Sequence, residues 1–323
     1  MKLIVLGTGI WTEAVIKSVK AHAGIDLVGL VPDISADEDE NRSFSDRLGG
    51  DVKILPFEMS SFEEADLIFT CECRRKIDNE YINNFTFVNC HGGILPRYRG
   101  ISSNSWAIIN GAKEIGYTIH KMDEKFDNGG IYYIGRFRIT QEQTYSDLYN
   151  DIYNDMVQKI AGILLKIYDK KLMPVKQEGL VQYNSKLYRE FGDLKDFNSP
   201  SSYITNLYRA MSRPHGTGVY FMLNGKKIYT DKIIDGNNVG VVDYFGMHGR
   251  IVNIADGYIW VKTKDNVVLL SKLYDEFNNV VATDNFRIGN WLGRWSLRIF
   301  VYVWRDRLNI IDRRPPDKRH NIL

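Results

Sequence analysis

Asn89, Cys90 and His91 stand in a row, followed by Gly92-Gly93 and by Leu95-Pro96-Arg97-Tyr98-Arg99-Gly100. Asp127-Asn128-Gly129-Gly130 comes later in the chain. An amide, an imidazole and a carboxylate are thereby offered to one site from two loops. The amide can donate to an oxyanion. The imidazole can take or give a proton near neutral pH. The carboxylate can hold that imidazole in one tautomer and stabilise its charged form. These are the parts needed for acyl transfer to an amine. Of the six histidines, only His91 follows a strand end and opens a Gly-rich loop.

Such a site needs strands to aim it. Residues 3–6 form a short apolar run that reads as a buried parallel strand. Gly7-Thr8-Gly9 makes a turn, and 12–21 carries Val15, Ile16 and Val19 at helical spacing, with Gly24 as a stop. Further strands are expected at 27–31, 52–55, 66–70 and 85–89. Strands alternating with helices predict an α/β fold, a Rossmann-like, mostly parallel sheet covered on both faces. Ligands of such sheets bind beyond the carboxyl ends of the strands, where Asn89 and His91 fall. A helix at 103–111, strands at 115–122 and 130–139, and a long amphipathic helix at 145–169 complete the first domain.

After about residue 195 the texture changes. A short helix at 202–211 precedes apolar runs at 218–223 and 227–233, joined by Asn224-Gly225, a strong hairpin signal. Short β segments follow at 249–254, 258–262 and 267–273. The expected organisation is a catalytic domain over 1–195, a smaller β-rich, OB-like domain over 196–290, and a tail over 291–323. The tail holds eight Lys or Arg against three Asp. It is expected to dock on the body or on a second subunit rather than on a membrane surface or polyanion.

With 323 residues, 44% hydrophobic and 25% charged, the chain is an ordinary globular one. A net charge of +2 does not demand a nucleic-acid partner. Three cysteines, Cys71, Cys73 and Cys90, argue against a disulfide framework, and Cys71-x-Cys73 without a matching pair is no zinc signature. No metal is expected. The N-terminal apolar run is too short for a signal peptide, and no run approaches a membrane span, so a cytoplasmic protein is expected. Gly7-Thr8-Gly9, with Asp33 as a ribose ligand, invites a dinucleotide reading. Thr12 stands where that fingerprint has Gly or Ala, which leaves a nicotinamide-dependent sugar oxidoreductase a minor alternative. Arg97 and Arg99, beside a Gly-rich turn and a helix start at Ser103, could be solvated charges or a phosphate site.

Asn89-x-His91, then Leu95-Pro96-x-Tyr98-Arg99-Gly100, then Asp127 resembles the folate-dependent formyltransferase family. Thr118-Ile119-His120-Lys121-Met122-Asp123-Glu124 and Asp127-x-Gly129 are similar to its second signature. Arg213-Pro214-His215-Gly216 and the segment near 249–273 are similar to the C-terminal domain of its longer members. One departure is Gly92-Gly93, where many members carry Pro-Ser or Asp-Ser. The resemblance implies transfer of a formyl group from N10-formyltetrahydrofolate to an amine, with Asn89, His91 and Asp127 as catalytic residues. It also implies that Cys73, Arg74 and Arg75, with the stretch around Asp123 and Phe126, hold the pterin.

The family offers several acceptors. Glycinamide ribonucleotide enzymes have essentially one domain, which the length disfavours. In initiator-tRNA enzymes the loop after the second strand is basic. Here that region carries Asp33, Asp37, Glu38, Asp39, Glu40 and Asp46 against Arg42 and Arg47, and such a loop repels phosphates. A methionyl-tRNA formyltransferase is therefore the alternative. The favoured acceptor is a nucleoside diphosphate-linked amino-dideoxysugar, dTDP before UDP or GDP. Arg97, Arg99, Ser103, Asn104 and Arg213 would then reach sugar or phosphate. The loop 89–96 looks most like the sugar N-formyltransferases of surface-glycan pathways such as lipopolysaccharide O-antigen. A homodimer, no bound nucleic acid and no membrane span are expected. A non-catalytic sugar-binding module is disfavoured by the complete amide, imidazole and carboxylate set.

Overall fold

A computed structural model describes residues 1–33, 44, 46–48, 51–195, 197–241 and 244–293. The acidic stretch at 34–43 and the basic tail from 294 lie outside the described residues. The chain divides into two compact units. The first comprises Met1–Tyr188 and Arg209–Thr217; the second comprises Arg189–Tyr208 and the described residues from Gly218 onward.

The first unit is built on a six-stranded sheet. Its strands are β1 (Lys2–Leu6), β2 (Asp26–Val31), β3 (Leu67–Cys71), β4 (Phe87–His91), β6 (Glu114–Lys121) and β7 (Ile131–Arg138), in the order β2-β1-β3-β4-β6-β7. The first four run parallel, and β6 and β7 are antiparallel to their neighbours. A two-residue strand, β5 (Arg99–Gly100), pairs with β8 (Tyr183–Asn184) beyond the sheet. Residues 52–55 do not form the expected strand. Only Ile54 bridges to Leu30, because the β2 edge is met by a single residue of an otherwise irregular segment.

Helices cover both faces. α1 (Ile10–Lys20) packs against α5 (Tyr145–Tyr168), where Leu148, Ile152, Met156, Ile160 and Leu164 are wholly buried at four-residue spacing. Thr144 and Asp147 form a capping box that starts α5. On the other face Phe62 of α2 (Met59–Phe62) packs with Ile4, Ile68, Ile77 and Phe87, with Tyr81 and Ile82 of α3 (Asn79–Asn84) beside them. α4 (Ser103–Ile109) follows the site loop.

The second unit is a five-stranded antiparallel sheet of β9 (Val219–Leu223), β10 (Lys226–Asp235), β11 (Ile251–Ala255), β12 (Tyr258–Lys262) and β13 (Val267–Asp275), in the order β11-β12-β13-β10-β9. Asn224 and Gly225, both at positive φ, make the β9–β10 hairpin turn. Residues 289–293 hydrogen-bond to both outer strands: the Gly289 amide donates to Ile251 and the Gly293 amide to Met222.

The turn after β1 explains its glycine. Gly7 lies at φ +141, and a Cβ there would meet the Cys71 carbonyl oxygen at 1.8 Å. Thr12, fully buried, donates its hydroxyl to that same carbonyl at 2.8 Å. The first turn of α1 is thereby fixed to the end of β3. Gly7→Ala is expected to cost roughly 2–4 kcal/mol, read as a lowered urea midpoint with unchanged m-value. A loss below about 0.5 kcal/mol would show that this turn can open away from Cys71.

Candidate active site

Strand register assembles the site. Thr70 of β3 pairs with Asn89 of β4, and Asn89 pairs with His120 of β6. His91, two residues on from Asn89 and so on the same face, pairs with Thr118. Four polar side chains from three neighbouring strands thus share one end of the sheet with the His91 imidazole.

Their hydrogen bonds have definite directions. The Thr70 hydroxyl donates to Asn89 Oδ1 at 2.6 Å. Asn89 Nδ2 lies 3.0 Å from His120 Nε2, and His120 Nδ1 lies 2.8 Å from the Lys121 carbonyl. A carbonyl only accepts, so the His120 proton sits on Nδ1 and Nε2 receives the Asn89 N–H. The amide of Asn89 is thereby locked, with one further N–H to give. His120, 2% exposed, has its pKa pushed down to about 4, chiefly by burial and next by the charge on His91. It is a neutral acceptor at pH 7.

His91 is held at both nitrogens. Nε2 lies 2.6 Å from the Tyr98 carbonyl and must carry a proton. Nδ1 faces Asp127 Oδ1 at 3.3 Å. The same carboxylate oxygen is 3.8 Å from His120 Nε2. Asp127 Oδ2 accepts the Gly100 amide at 2.8 Å. Asp127 adopts a left-handed backbone, φ 52, which turns its side chain back toward the Gly-rich loop. His91 and Asp127 therefore face each other directly, and Asn89 is linked to Asp127 through His120.

The departure at Gly92-Gly93 has a steric reason. A Cβ on Gly93 would lie 2.7 Å from the Ser103 Cβ and 2.9 Å from His91 Nε2. Thr118 pins this turn, donating to the Gly93 carbonyl at 2.6 Å and accepting the Leu95 amide at 3.1 Å.

The other expected residues divide. Arg97 is exposed, with Nε 3.4 Å from Gln182 Oε1. Arg99 does not lie open to a ligand. It is 6% exposed and donates to Tyr183 Oη at 3.0 Å and Gln177 Oε1 at 2.7 Å. Asn104 is likewise internal, clasping the Gly116 backbone with both ends of its amide. Ser103 is buried and donates to the Gly100 carbonyl. Burial selects such polar residues for internal bonds, which the sequence alone does not reveal. Arg213 is half-buried beside Ser212, which bonds Ser146 at the start of α5, and His215 stacks on Tyr149 at 4.2 Å.

Around the expected pterin wall, the Arg74 amide donates to Asp33. Burial pushes the Cys73 thiol up to about 12, so it is no nucleophile at neutral pH. Two nitrogens of Arg75, Nε and Nη2, are buried without a hydrogen-bond partner, while its guanidinium lies 4.1 Å over the Phe57 ring. Asp123 ties its own loop through the Lys125 amide and Asn128 Nδ2, and Phe126 is 65% exposed beside Asp127.

Asp33 does not serve a ribose. Its carboxylate is occupied by the Arg74 amide. At the N-terminus of α1, where a dinucleotide pyrophosphate would sit, Glu72 accepts from the Trp11 and Thr12 amides at 2.8 and 3.1 Å and from Tyr149 Oη at 2.6 Å. The protein's own carboxylate fills that anion site.

Among the described residues no cluster of His, Cys, Asp or Glu is placed to hold a metal. No described helix is long and apolar enough to cross a membrane.

His120 stands in the 118–124 signature with no role assigned to it there, because its role comes from the strand register of β4 and β6. Its neutrality has a measurable consequence. Between about pH 6.5 and 4 the unfolded chain binds a proton there that the folded chain refuses, so stability falls as pH drops through that window. Urea unfolding from pH 7 to 4.5 should show a steeper loss for the wild type than for His120→Gln. Parallel curves would mean that His120 is charged in the folded protein.

Comparison with known proteins agrees with this geometry. The methionyl-tRNA formyltransferase of Malacoplasma penetrans is 28% identical over 214 residues, 65% of this chain and 64% of that protein, so the match spans just under two thirds of that relative. That of Clostridium tetani is 25% identical over 307 residues, 90% of this chain and 97% of the relative. Among solved structures, a 4-N formyltransferase from Francisella tularensis (21% identity, TM-score 0.60, 72% of this chain and 96% of that one) shares the fold. So does the N-formyltransferase from Helicobacter canadensis in complex with folinic acid and dTDP-3-aminofucose (18% identity, TM-score 0.61, 85% and 100%). The formyl transferase model matches residues 58–161, and the formyl transferase C-terminal domain model matches residues 190–290. With models of both the N-terminal and the C-terminal formyl transferase domain matched, this chain belongs to the formyl transferase family.

Proposed function

We propose that the chain moves a formyl group from N10-formyltetrahydrofolate to the amine of a nucleoside diphosphate-linked amino-dideoxysugar, with dTDP the favoured nucleotide. The observation that carries the reading is the contact of His91 Nδ1 with Asp127 Oδ1 at 3.3 Å, next to an Asn89 amide locked as a donor. The folate supplies the carbon that is transferred. As the amine nitrogen bonds to that carbon, the carbonyl oxygen gains negative charge. The remaining Asn89 N–H is the donor to meet it. The amine proton passes to Nδ1 of His91, and the Asp127 carboxylate offsets the charge this puts on the ring. The C–N10 bond then breaks, and N10 takes a proton back. Arg75 and Phe126 are the side chains we assign to the folate, and Arg97 and Arg213 to the diphosphate.

A second reading, transfer to methionyl-tRNA, draws support from the names of the relatives above. The run of acidic residues at 37–40 counts against it, because an RNA phosphate backbone must approach a basic surface. We place the reaction in the cytoplasm, in the making of sugars for surface glycans such as O-antigen, by a homodimer.

A panel of dTDP-, UDP- and GDP-linked amino sugars, incubated with N10-formyltetrahydrofolate, should show a gain of one formyl mass on a dTDP sugar. Formylation of charged initiator tRNA with none on the panel would replace the sugar reading with the second. His91→Asn should stay folded and lose at least ~10²-fold in kcat. Asn89→Ala should lose about 10²–10³-fold. Near-normal turnover in His91→Asn would remove the histidine from the chemistry.

A further inference from the structure

Asp127 cannot hold its conformation alone. A non-glycine residue at φ 52 occupies a sparsely populated region, and something must over-determine it. Its carboxylate is spent on His91 and Gly100, so the restraint has to act on the backbone.

The structure supplies one side chain that does this. Gln177 Nε2 donates to the Asp127 carbonyl and to the Gly129 carbonyl, both at 2.9 Å. Its Oε1 accepts from Arg99 Nη2 at 2.7 Å. All three polar functions of one amide are used. Arg99, almost wholly buried, is the residue before Gly100, whose amide is the donor to the Asp127 carboxylate. Arg99 and Gly100 are in turn paired with Tyr183 and Asn184 of β8. Gln177 thus ties the two loops of the site to each other, fifty residues downstream of the aspartate.

We propose that Gln177 is a positioning residue. It fixes the backbone on either side of the Asp127 turn so that the carboxylate stays aimed at His91 Nδ1. The role belongs to its two N–H donors rather than to its contact with Arg99. Two substitutions separate these parts. Gln177→Met removes donors and acceptor at similar size. Gln177→Glu keeps an acceptor, now charged, for Arg99 but offers no N–H to the carbonyls.

The proposal rests on the formyl-transfer reading, and the test keeps the two apart. In the intact enzyme, with the acceptor sugar that the panel identifies, both variants should lose about 10- to 100-fold in kcat, with KM for each substrate within about threefold. In an Asp127→Ala background, Gln177→Glu should cost less than about twofold more, since its effect passes through the carboxylate. Hydrogen exchange, which needs no substrate, should show the Gly100 amide at least about tenfold faster in both variants and in Asp127→Ala. Wild-type turnover with Gln177→Glu near normal would overturn the proposal, as would full additivity with Asp127→Ala or an unchanged Gly100 amide. No formylation by the wild type, with Gly100 exchange accelerated as expected, would sink the reaction while the positioning role stands.

Discussion

One carboxylate governs the arrangement of this site. Asp127 is largely buried, 13% exposed, and a carboxylate in that position must be met by donors or it would not stay ionised. Oδ2 receives a backbone N–H from the loop that follows His91, and Oδ1 faces the His91 ring itself. Both donors come from 91–100, so the aspartate draws that loop against the 123–130 turn. The Gly92-Gly93 corner, the Thr118 pin and the left-handed backbone at Asp127 all serve this closure. Remove the carboxylate and the Gly100 amide is left without its acceptor, and Nδ1 of His91 without its counter-charge.

A second buried carboxylate decides what the fold does not do. The first β-turn-helix carries the look of a dinucleotide site, and its helix N-terminus is intact as an anion receptor. Glu72 fills it from within. Burial raises the Glu72 pKa, while the Tyr149 hydroxyl and the Thr12 and Trp11 amides pull it down. Tyr149 also stacks on Trp11 at 4.8 Å and on His215 at 4.2 Å. Its phenol is pushed far above its ordinary range, first by burial and then by the Glu72 charge, so it remains a donor. The anion site thereby becomes a structural joint between α1, α5 and the 212–216 segment. Trp11 in turn limits Gly92, where a Cβ would lie 3.1 Å from its ring. The same feature that excludes a pyrophosphate steadies the wall of the catalytic loop.

Local signals carried most of the fold. Four-residue spacing of apolar side chains marked α5, because a helix that buries one stripe must repeat so. Asn224-Gly225 marked a hairpin, because both residues accept positive φ. The side chains proposed to react stand out in the sequence as well, since amide, imidazole and carboxylate are scarce together in loops at strand ends. What escaped depends on pairing across distance. His120 enters through the antiparallel register of β4 and β6, and Gln177 through a strap that returns to β5. His120 stands in the 118–124 signature, but the contacts of neither residue are visible in its own neighbourhood. Arg99 and Asn104 misled for the converse reason: a cation and an amide near a candidate phosphate loop look like ligands until burial shows them bonded to their own chain. Ile54 shows the limit of apolar runs, since Val52 to Leu55 has the composition of a strand but only one bridge.

Two imidazoles beside one carboxylate would be an electrostatic liability if both could charge. The site avoids it by assigning them different partners. His120 has a carbonyl at Nδ1 and the Asn89 amide at Nε2, so its neutral form satisfies both contacts, and burial opposes the second proton. His91 has a carbonyl at Nε2, which holds the ring proton there, and a carboxylate facing Nδ1. The neutral ring is what keeps Asn89 facing the right way. Were Nε2 of His120 to gain a proton, the Asn89 amide would have to present its oxygen there, and the Thr70 hydroxyl would lose its acceptor. The direction of the Asn89 amide is thus set by one hydrogen-bond relay, running from Lys121 through His120 and Asn89 to Thr70.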